Sequence, residues 1–306
     1  MSRCFCCGKQ LTGNGQHHPK CLKLLFKNGR LPSIPFGLAD LPAQVSKTGG
    51  RMSISGVQMK LSVRVNPESF EIETVAEGGT HILKPGSNTF PELPQNENLC
   101  MNLASEIELS VPPHGLFHMA DGNLCYIIKR FDRLEDGTKM HKETLYQILN
   151  ADEKYRGSLE QVGKIIRLHT YNVGLDSIDF FERVLLSFLI GNGDMHLKNW
   201  ALLTRDEGKA ELAPCYDFVS SKIYIQDEED SALSINGRKN KLRHVDFEVL
   251  ADSLKMDPKV AENSFRKLYK AKDQIIEMTM HSELSVEWQQ KLLDVINSRY
   301  ERFEAV

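Results

Sequence analysis

Apolar and polar residues alternate in the first half of the chain, and they follow a helical period in most of the second half. The alternation in residues 61–65 predicts a strand with one buried face, because neighbouring side chains of a strand point to opposite sides. Further strands are predicted at 70–75, 80–83 and 124–128. The Gly78–Gly79 pair is predicted to close a hairpin between the first two of these.

Helical spacing of apolar residues predicts a helix from about residue 97 to residue 109 and another that opens at 141–144. Two more helices are predicted over 158–169 and 176–190, the second capped by Asp176 or Ser177, and most of 246–303 is also predicted to be helical. Strands first and helices afterwards favour an α+β fold with two lobes, a small β-rich N-lobe and a larger, mostly α-helical C-lobe.

Three regions follow from this pattern. Residues 1–50 are assigned to a short Cys/His-containing cap and a connector, with 22–26 and 31–41 as the Pro- and Gly-rich connector. Residues 51–132 form the predicted N-lobe, and residues 133–306 form the predicted helical C-lobe.

The composition is that of an ordinary globular enzyme. The chain has 306 residues, 41% of them hydrophobic and 26% charged, and a net charge of -3 that gives no general attraction to nucleic acid. No apolar run reaches the roughly 18 residues of a membrane span, so no membrane partner is expected. The seven cysteines are an odd number, which favours reduced thiols in a cytoplasm over a disulfide framework.

The segment around Asp194 carries the strongest chemical signal. The apolar run 184–190 leads into Gly-Asn-Gly, then Asp194 and, five residues later, Asn199; a predicted hairpin separates these from Asp217. Phosphoryl transfer from ATP uses one carboxylate to accept the proton of the attacking hydroxyl, and an amide oxygen with a second carboxylate to hold magnesium. An isolated Asp-x-x-x-x-Asn is often only a turn, but the ordered combination predicts a protein-kinase-like fold.

The predicted N-lobe holds matching elements. Gly56 in the loop 51–60 allows close approach to phosphates, although an ordinary polar loop has the same composition. Lys84 ends an apolar strand, as the ATP-binding lysine of kinases does, and its partner would be Glu97 or Glu106, with Glu97 preferred. Phe131 follows the strand 124–128, where it would either line an adenine pocket or belong to the core.

The N-terminal cap contains Cys4-x-x-Cys7 followed by His18 and Cys21. Three thiolates and an imidazole are a plausible tetrahedral zinc set, and four protein ligands would make the site structural. Cys6 and His17 are the alternative ligands, and reduced cysteines without metal are the simpler explanation.

With these segments assembled, the chain resembles the HipA family of bacterial serine/threonine kinases, the toxins of toxin–antitoxin systems. The resemblance extends from about residue 52 to residue 247 and rests on five ordered motifs: 53–60 (Ser-Ile-Ser-Gly-Val-Gln-Met-Lys), 81–84 (His-Ile-Leu-Lys), 129–133 (Lys-Arg-Phe-Asp-Arg), 193–199 (Gly-Asp-Met-His-Leu-Lys-Asn) and 216–217 (Tyr-Asp).

The resemblance implies a role for each matching residue. Asp194 would be the catalytic base, His196 and Lys198 would support the transferring phosphoryl group, and Asn199 and Asp217 would bind Mg²⁺. The other residues implied to contact ATP are Ser53, Ser55, Gly56, Gln58, Lys60, Lys84, Glu97, Lys129 and Phe131. Ser53, Ser55 or both would be autophosphorylated, and the added charge of about -1.5 to -2 would switch the kinase off.

Two departures refine the resemblance. Lys129 stands where HipA has an acidic residue, and the N-terminal subdomain of larger HipA proteins is mostly missing. The chain is therefore placed near the short HipT-like toxins of tripartite HipBST systems. The implied partners are a helix-turn-helix antitoxin that binds the DNA, a small separate protein similar to the missing subdomain, and an aminoacyl-tRNA synthetase as substrate.

Two other functions compete with this one. A small-molecule kinase of the aminoglycoside or choline type has the same Gly-Asp and Asn spacing, but the Ser-Ile-Ser-Gly loop and Tyr216 argue against it. A catalytically inert kinase fold, held as the partner of a DNA-binding repressor, is the second. Because Lys84, Asp194, Asn199 and Asp217 are all present, an active enzyme is favoured.

Overall fold

A computed structural model describes residues 2–47, 58–134, 137–206 and 208–304. The described residues form two compact units. Unit 1 takes those within 1–102, 112–138 and 281–284, and unit 2 takes those within 103–111, 139–280 and 285–306. No helix in these described ranges is long and apolar enough to cross a membrane.

Unit 1 is built around a five-stranded antiparallel sheet with the strand order β2-β1-β3-β5-β4. Its strands are β1 (Leu61–Val65), β2 (Ile72–Thr74), β3 (His81–Lys84), β4 (His114–His118) and β5 (Leu124–Lys129). The predicted alternation in β1 is confirmed, because Leu61 and Val63 are buried while Arg64 is exposed. β4 was not predicted from the sequence.

The hairpin predicted at Gly78–Gly79 is wrong. β2 and β3 both pair with β1, from opposite sides, so the connection passes from one neighbour of β1 to the other. Gly79 lies so close to β1 that an added Cβ would stand 2.0 Å from Oγ of Ser62, and Gly78 has a φ of +71°. The two glycines therefore serve a turn that runs close against β1, and periodicity alone does not tell which strands pair.

Three helices complete unit 1 or begin in it: α1 (Pro19–Phe26), α2 (Leu41–Lys47) and α3 (Leu93–Glu106). α1 replaces part of the predicted connector, and it begins at a proline, which suits the first helical position because no donor is lost there. α3 starts four residues before its predicted beginning and ends at Glu106, and Glu108 is left-handed, with a φ of 60°.

The core of unit 1 joins the cap, α1 and the sheet in one apolar cluster. Its members include Cys4, Cys6, Leu22, Leu25, Phe26, Leu61, Val63, Leu83, Phe117 and Ile127. The cap is therefore part of the sheet's own core.

Unit 2 is mainly helical. Its helices are α4 (Leu145–Ile148), α5 (Leu159–His169), α6 (Val173–Leu189), α7 (His244–Ser253), α8 (Pro258–Lys270), α9 (Lys272–Met280) and α10 (Val286–Glu304). A three-stranded sheet has the order β6-β7-β8, with β6 (His141–Thr144), β7 (Ala201–Asp206) and β8 (Lys209–Leu212). α6 is buried along residues 180–189, and the buried residues include the polar Glu182, Arg183 and Ser187.

Two helix predictions in unit 2 are corrected. Residues 141–144 form β6, which pairs with β7, because their side chains alternate in exposure with the period of a strand. The helix begins only after Thr144, whose hydroxyl accepts a hydrogen bond from the backbone N–H of Gln147. α6 begins at Val173, so Asp176 and Ser177 lie within its first two turns and do not cap it.

Candidate active site

Lys84 and Glu97 form a buried ion pair in unit 1. Lys84 ends β3, and its Nζ donates to Oε1 of Glu97 on α3; both side chains are at most 4% exposed. Lys84 Nζ also lies 5.7 Å from the ring centroid of Tyr126, which is opposite it on β5. Burying both charges is costly, so the pair by itself is weak evidence for a contribution to stability.

The other residues predicted for ATP binding in unit 1 are spread along its chain. Gln58 precedes β1, and its Nε2 is buried with no partner among the described residues. Lys129 ends β5, and its Nζ donates to the backbone oxygen of Leu24 at 3.5 Å. Ser53, Ser55 and Gly56 lie outside the described residues.

In unit 2, the Gly-Asn-Gly segment forms a tight exit from α6. Gly191 has a φ of +68°, and a Cβ there would stand 2.7 Å from Cβ of Lys222. At Gly193 an added Cβ would lie 2.4 Å from the carboxyl carbon of Glu228. Only glycine allows both the left-handed turn and these close approaches, so the two glycines fix where Asp194 emerges.

Asp194 is half exposed, and both its carboxylate and its backbone oxygen accept hydrogen bonds. The hydroxyl of Tyr155 donates to Oδ1 at 2.5 Å, and Nε2 of His196 lies 3.9 Å from the same oxygen. Nδ2 of Asn199 donates to the backbone oxygen of Asp194 at 3.1 Å, which orients the amide and leaves its Oδ1 as the potential metal ligand. This arrangement brings the predicted base and the predicted amide ligand together.

His196 is buried beside Asp194. Burial lowers the pKa of His196, against the opposing charges of Asp194 and Asp217, so the imidazole is neutral near pH 7. Its Nδ1 is buried with no partner among the described residues, and its ring meets that of Tyr155 edge-on at 5.2 Å. The imidazole is thus a neutral, buried neighbour of the Asp194 carboxylate.

Asp217 has a left-handed backbone, with a φ of 56°. A non-glycine residue in that region is strained, and such strain concentrates at functional sites. The hydroxyl of the preceding Tyr216 donates to the backbone oxygen of Lys198 at 2.9 Å, which links the segment of Asp217 to the 3₁₀ turn Leu197–Asn199. The side chain of Lys198 lies over the ring of Tyr146, at 4.4 Å from its centroid.

Sequence analysis missed two residues of this site, Tyr155 and Glu228. Oε2 of Glu228 accepts a hydrogen bond from Oγ of Ser221 at 2.7 Å, and the backbone N–H of Gly193 donates to the same Oγ at 2.9 Å. Burial raises the pKa of Glu228 to about 7, with a smaller contribution from the charge of Asp194.

The acidic stretch 226–231 is anchored at Asp230. That carboxylate is buried and accepts hydrogen bonds from Arg299 and Arg302 of α10. Burial raises the pKa of Asp230, but the two arginines outweigh it and lower the pKa to about 2.

The Cys/His cap brings four predicted ligands together. The ligand atoms of Cys4, Cys7, His18 and Cys21 all lie within 4.8 Å of one another. Cys6 and His17, the alternatives, are not in this group.

A lysine–glutamate pair at the end of a small antiparallel sheet, followed by an Asp–Asn–Asp set in a helical unit, is the order found in protein kinases. The fold agrees with this class. The HipA structure from Shewanella oneidensis, solved as a toxin–antitoxin complex of HipA, HipB and operator DNA, matches with a TM-score of 0.71 at 20% identity. The match covers 89% of this chain and 72% of HipA.

The family is shown by sequence. The family described as HipA-like C-terminal domain matches residues 52–275, and the chain belongs to that family. A protein of Haemophilus influenzae named "Putative kinase" is 33% identical over 217 residues, which is 67% of this chain and 63% of that protein. The serine/threonine-protein kinase toxin HipA of Shewanella oneidensis is 25% identical over 218 residues, 64% of this chain and 49% of HipA.

The resemblance to the HipA family drawn from the motifs is therefore confirmed, as is the α+β kinase-like fold. The chain spans about half to two thirds of the length of these two relatives.

Proposed function

We propose that the chain is an ATP-dependent serine/threonine protein kinase that acts as the toxin of a toxin–antitoxin system. The observation that carries the proposal is the polar group at the exit of α6, where Asp194 lies beside His196 and Asn199. A carboxylate held next to an amide whose oxygen is left for a metal is what phosphoryl transfer to a hydroxyl requires.

In the proposed reaction, Asp194 accepts the proton of the acceptor hydroxyl. The hydroxyl oxygen then forms a bond to the γ-phosphorus of ATP, and the bond from that phosphorus to the β–γ bridging oxygen breaks, so that ADP leaves. Oδ1 of Asn199 and the carboxylate of Asp217 are suitable oxygen ligands for Mg²⁺. Bound Mg²⁺ would neutralise the negative charge of the phosphates.

Lys84 is proposed to bind the phosphates, with Glu97 orienting its ammonium group. We propose that Gln58 contacts ATP, because its buried Nε2 has no partner among the described residues. We propose that Lys60, Lys129, Phe131 and Lys198 also take the roles implied by the resemblance, and that Ser53 or Ser55 is autophosphorylated to switch the enzyme off.

The partners are proposed from the relatives. HipA of Shewanella oneidensis was solved with HipB and operator DNA, which supports an antitoxin partner. We propose that contact with DNA is made through that antitoxin. From the motif resemblance we also propose a HipT-like system, in which a small separate protein is a further partner. An aminoacyl-tRNA synthetase is the proposed substrate, and its phosphorylation would arrest translation in the cytoplasm.

The test is intact-mass spectrometry of the purified protein before and after incubation with ATP and Mg²⁺. Asp194→Asn is the inactive variant, and Asp252→Asn, at an exposed position of α7, is the matched control. We expect added phosphate on Ser53 or Ser55 in the wild type and the control, and none in Asp194→Asn. Transfer only to a small acceptor would favour the small-molecule kinase, and ATP binding without any transfer would favour the inert partner.

A further inference from the structure

The Cys/His cluster of the cap has the dimensions of a tetrahedral metal site. Ligands at about 2.0–2.3 Å from a zinc ion lie about 3.3–3.8 Å from one another when the geometry is tetrahedral. Nδ1 of His18 lies 3.4 Å from Sγ of Cys7 and 4.0 Å from Sγ of Cys21. The side chains therefore already have nearly the spacing that an ion would impose.

The surroundings of the cluster orient its ligands. Nε2 of His18 lies 3.0 Å from the backbone oxygen of Gln10. That oxygen can only accept, so Nε2 carries the proton and the lone pair of Nδ1 faces the sulfur atoms, as in metal sites where the second ring nitrogen of a histidine donates to a carbonyl. The backbone N–H of His18 donates to Sγ of Cys4 at 3.2 Å.

The turn that contains Cys4 and Cys7 is closed by two backbone hydrogen bonds. The backbone N–H of Gly8 donates to the oxygen of Cys4 at 2.8 Å, and the N–H of Cys4 donates to the oxygen of Lys9 at 2.9 Å. Gly8 has a φ of 65°, and this left-handed backbone turns the chain so that the oxygen of Lys9 meets the N–H of Cys4.

The two alternative ligands, Cys6 and His17, pack against the sheet instead. An added Cβ on Gly115 of β4 would stand 2.6 Å from Sγ of Cys6, so this thiol is packed directly against the β4 backbone. The ring of His17 stacks on Phe117 at 4.8 Å, and its Nε2 donates to the oxygen of Leu116 at 2.8 Å. The sequence leaves open which of these cysteines and histidines are ligands. In the structure, Cys7 and His18 face the cluster, while Cys6 and His17 face β4.

α1 links this cluster to the strand that carries Lys84. Cys21 lies in the first turn of α1, and the carbonyl oxygen of Leu25 in its last turn accepts a hydrogen bond from Nε2 of His81 at 2.8 Å. His81 is the first residue of β3, and burial lowers its pKa to about 4, so it is neutral and its Nε2 carries the proton. α1 has only 8 residues, and helices shorter than about 12–15 residues are marginal by themselves. Its two ends therefore need these attachments.

We propose that Cys4, Cys7, His18 and Cys21 bind one Zn²⁺ ion, and that this ion holds α1 against β3. Three thiolates with one imidazole favour zinc among the common divalent ions. Because all four ligands come from the protein, the ion has a structural role and takes no part in the reaction. The inference does not depend on the proposed kinase activity.

The experiment has two readouts. Elemental analysis of protein purified without chelator is expected to give one zinc per chain in the wild type and none in Cys21→Ser. Cys6→Ala and His17→Gln are the matched controls, and they are expected to keep the metal. Exchange with Co²⁺ is expected to produce the visible bands of a tetrahedral site and a thiolate charge-transfer band in the same proteins.

Hydrogen exchange measures the link to β3. In Cys21→Ser, the amides of α1 and β3 are expected to exchange at least about tenfold faster than in the wild type, because local opening of a unit speeds exchange in proportion. If Cys21→Ser does not fold, wild-type protein stripped by a chelator and then resupplied with Zn²⁺ provides the same comparison. A wild type that binds neither Zn²⁺ nor Co²⁺ would overturn the site. Metal loss that leaves exchange in α1 and β3 unchanged would overturn the link.

Discussion

Replacing Lys84 tests both the energetics of unit 1 and its proposed role. Lys84 and Glu97 are 4% and 0% exposed. In Lys84→Met the buried carboxylate of Glu97 loses the ammonium group of its ion pair, and removing one partner of a buried pair costs about 3–5 kcal/mol. We expect the free energy of unfolding of unit 1 to fall by that amount, and ATP binding to be lost because the phosphates have no ammonium partner.

The double variant Lys84→Met/Glu97→Leu separates the two effects. It removes both charges and keeps apolar side chains in their place, and such replacements of buried pairs are often neutral or stabilising. We therefore expect the double variant to recover most of the lost stability while ATP binding stays absent. Lys209→Met, an exposed strand lysine of unit 2, is the matched control and is expected to change neither quantity.

The assays are urea-dependent hydrogen exchange at the amides of β3 and α3 for stability, and isothermal titration with ATP and Mg²⁺ for binding. If the double variant is as unstable as Lys84→Met, then the cost comes from packing and not from an unpaired charge. If the double variant binds ATP as the wild type does, then Lys84 is not a phosphate ligand.

Two further predictions concern unit 2. Tyr155→Phe frees the oxygen of Asp194 that accepts a hydrogen bond from the Tyr155 hydroxyl. Since a hydrogen bond to a charged group is worth about 1.5–3 kcal/mol, autophosphorylation is expected to become faster, by at most about 10–150-fold. Slower phosphorylation would mean that the hydroxyl assists Asp194. Asp230→Asn should cost about 2–3 kcal/mol, because the pKa of Asp230 is lowered from 3.8 to about 2. This stability is fully present above about pH 4 and is lost as the pH falls toward 2, so thermal unfolding between pH 5 and pH 2 should depend less on pH in the variant. Equal pH dependence in both proteins would refute the assignment.

Sequence patterns predicted the features of this chain that are local. The spacing from Asp194 to Asn199 and the alternation in β1 each occupy a few consecutive residues, so the chemistry and the face of the strand follow from order alone. The cap ligands Cys4, Cys7, His18 and Cys21 also lie within 18 consecutive residues.

Features that depend on distant contacts were missed. Tyr155 lies 39 residues before Asp194, and no pattern around it indicates that its hydroxyl reaches that carboxylate. Glu228 belongs to a run of acidic residues whose composition predicts a solvated loop, yet the close approach of Gly193 holds it in place. The strand order failed for the same reason, because β1 lies between two strands that are consecutive along the chain.

The division of the chain into units has a consequence for its synthesis. Residues 281–284 belong to unit 1, although the preceding part of that unit ends at residue 138. A ribosome adds about 5–20 residues per second, so the intervening stretch delays the last piece of unit 1 by roughly 7–30 seconds. During that interval the cap and the sheet that carries Lys84 have already been synthesised. They must stay folded or unfolded in the nascent chain without residues 281–284, the last segment of unit 1. Completion of unit 1 therefore waits for the synthesis of residues 139–280, which belong to unit 2.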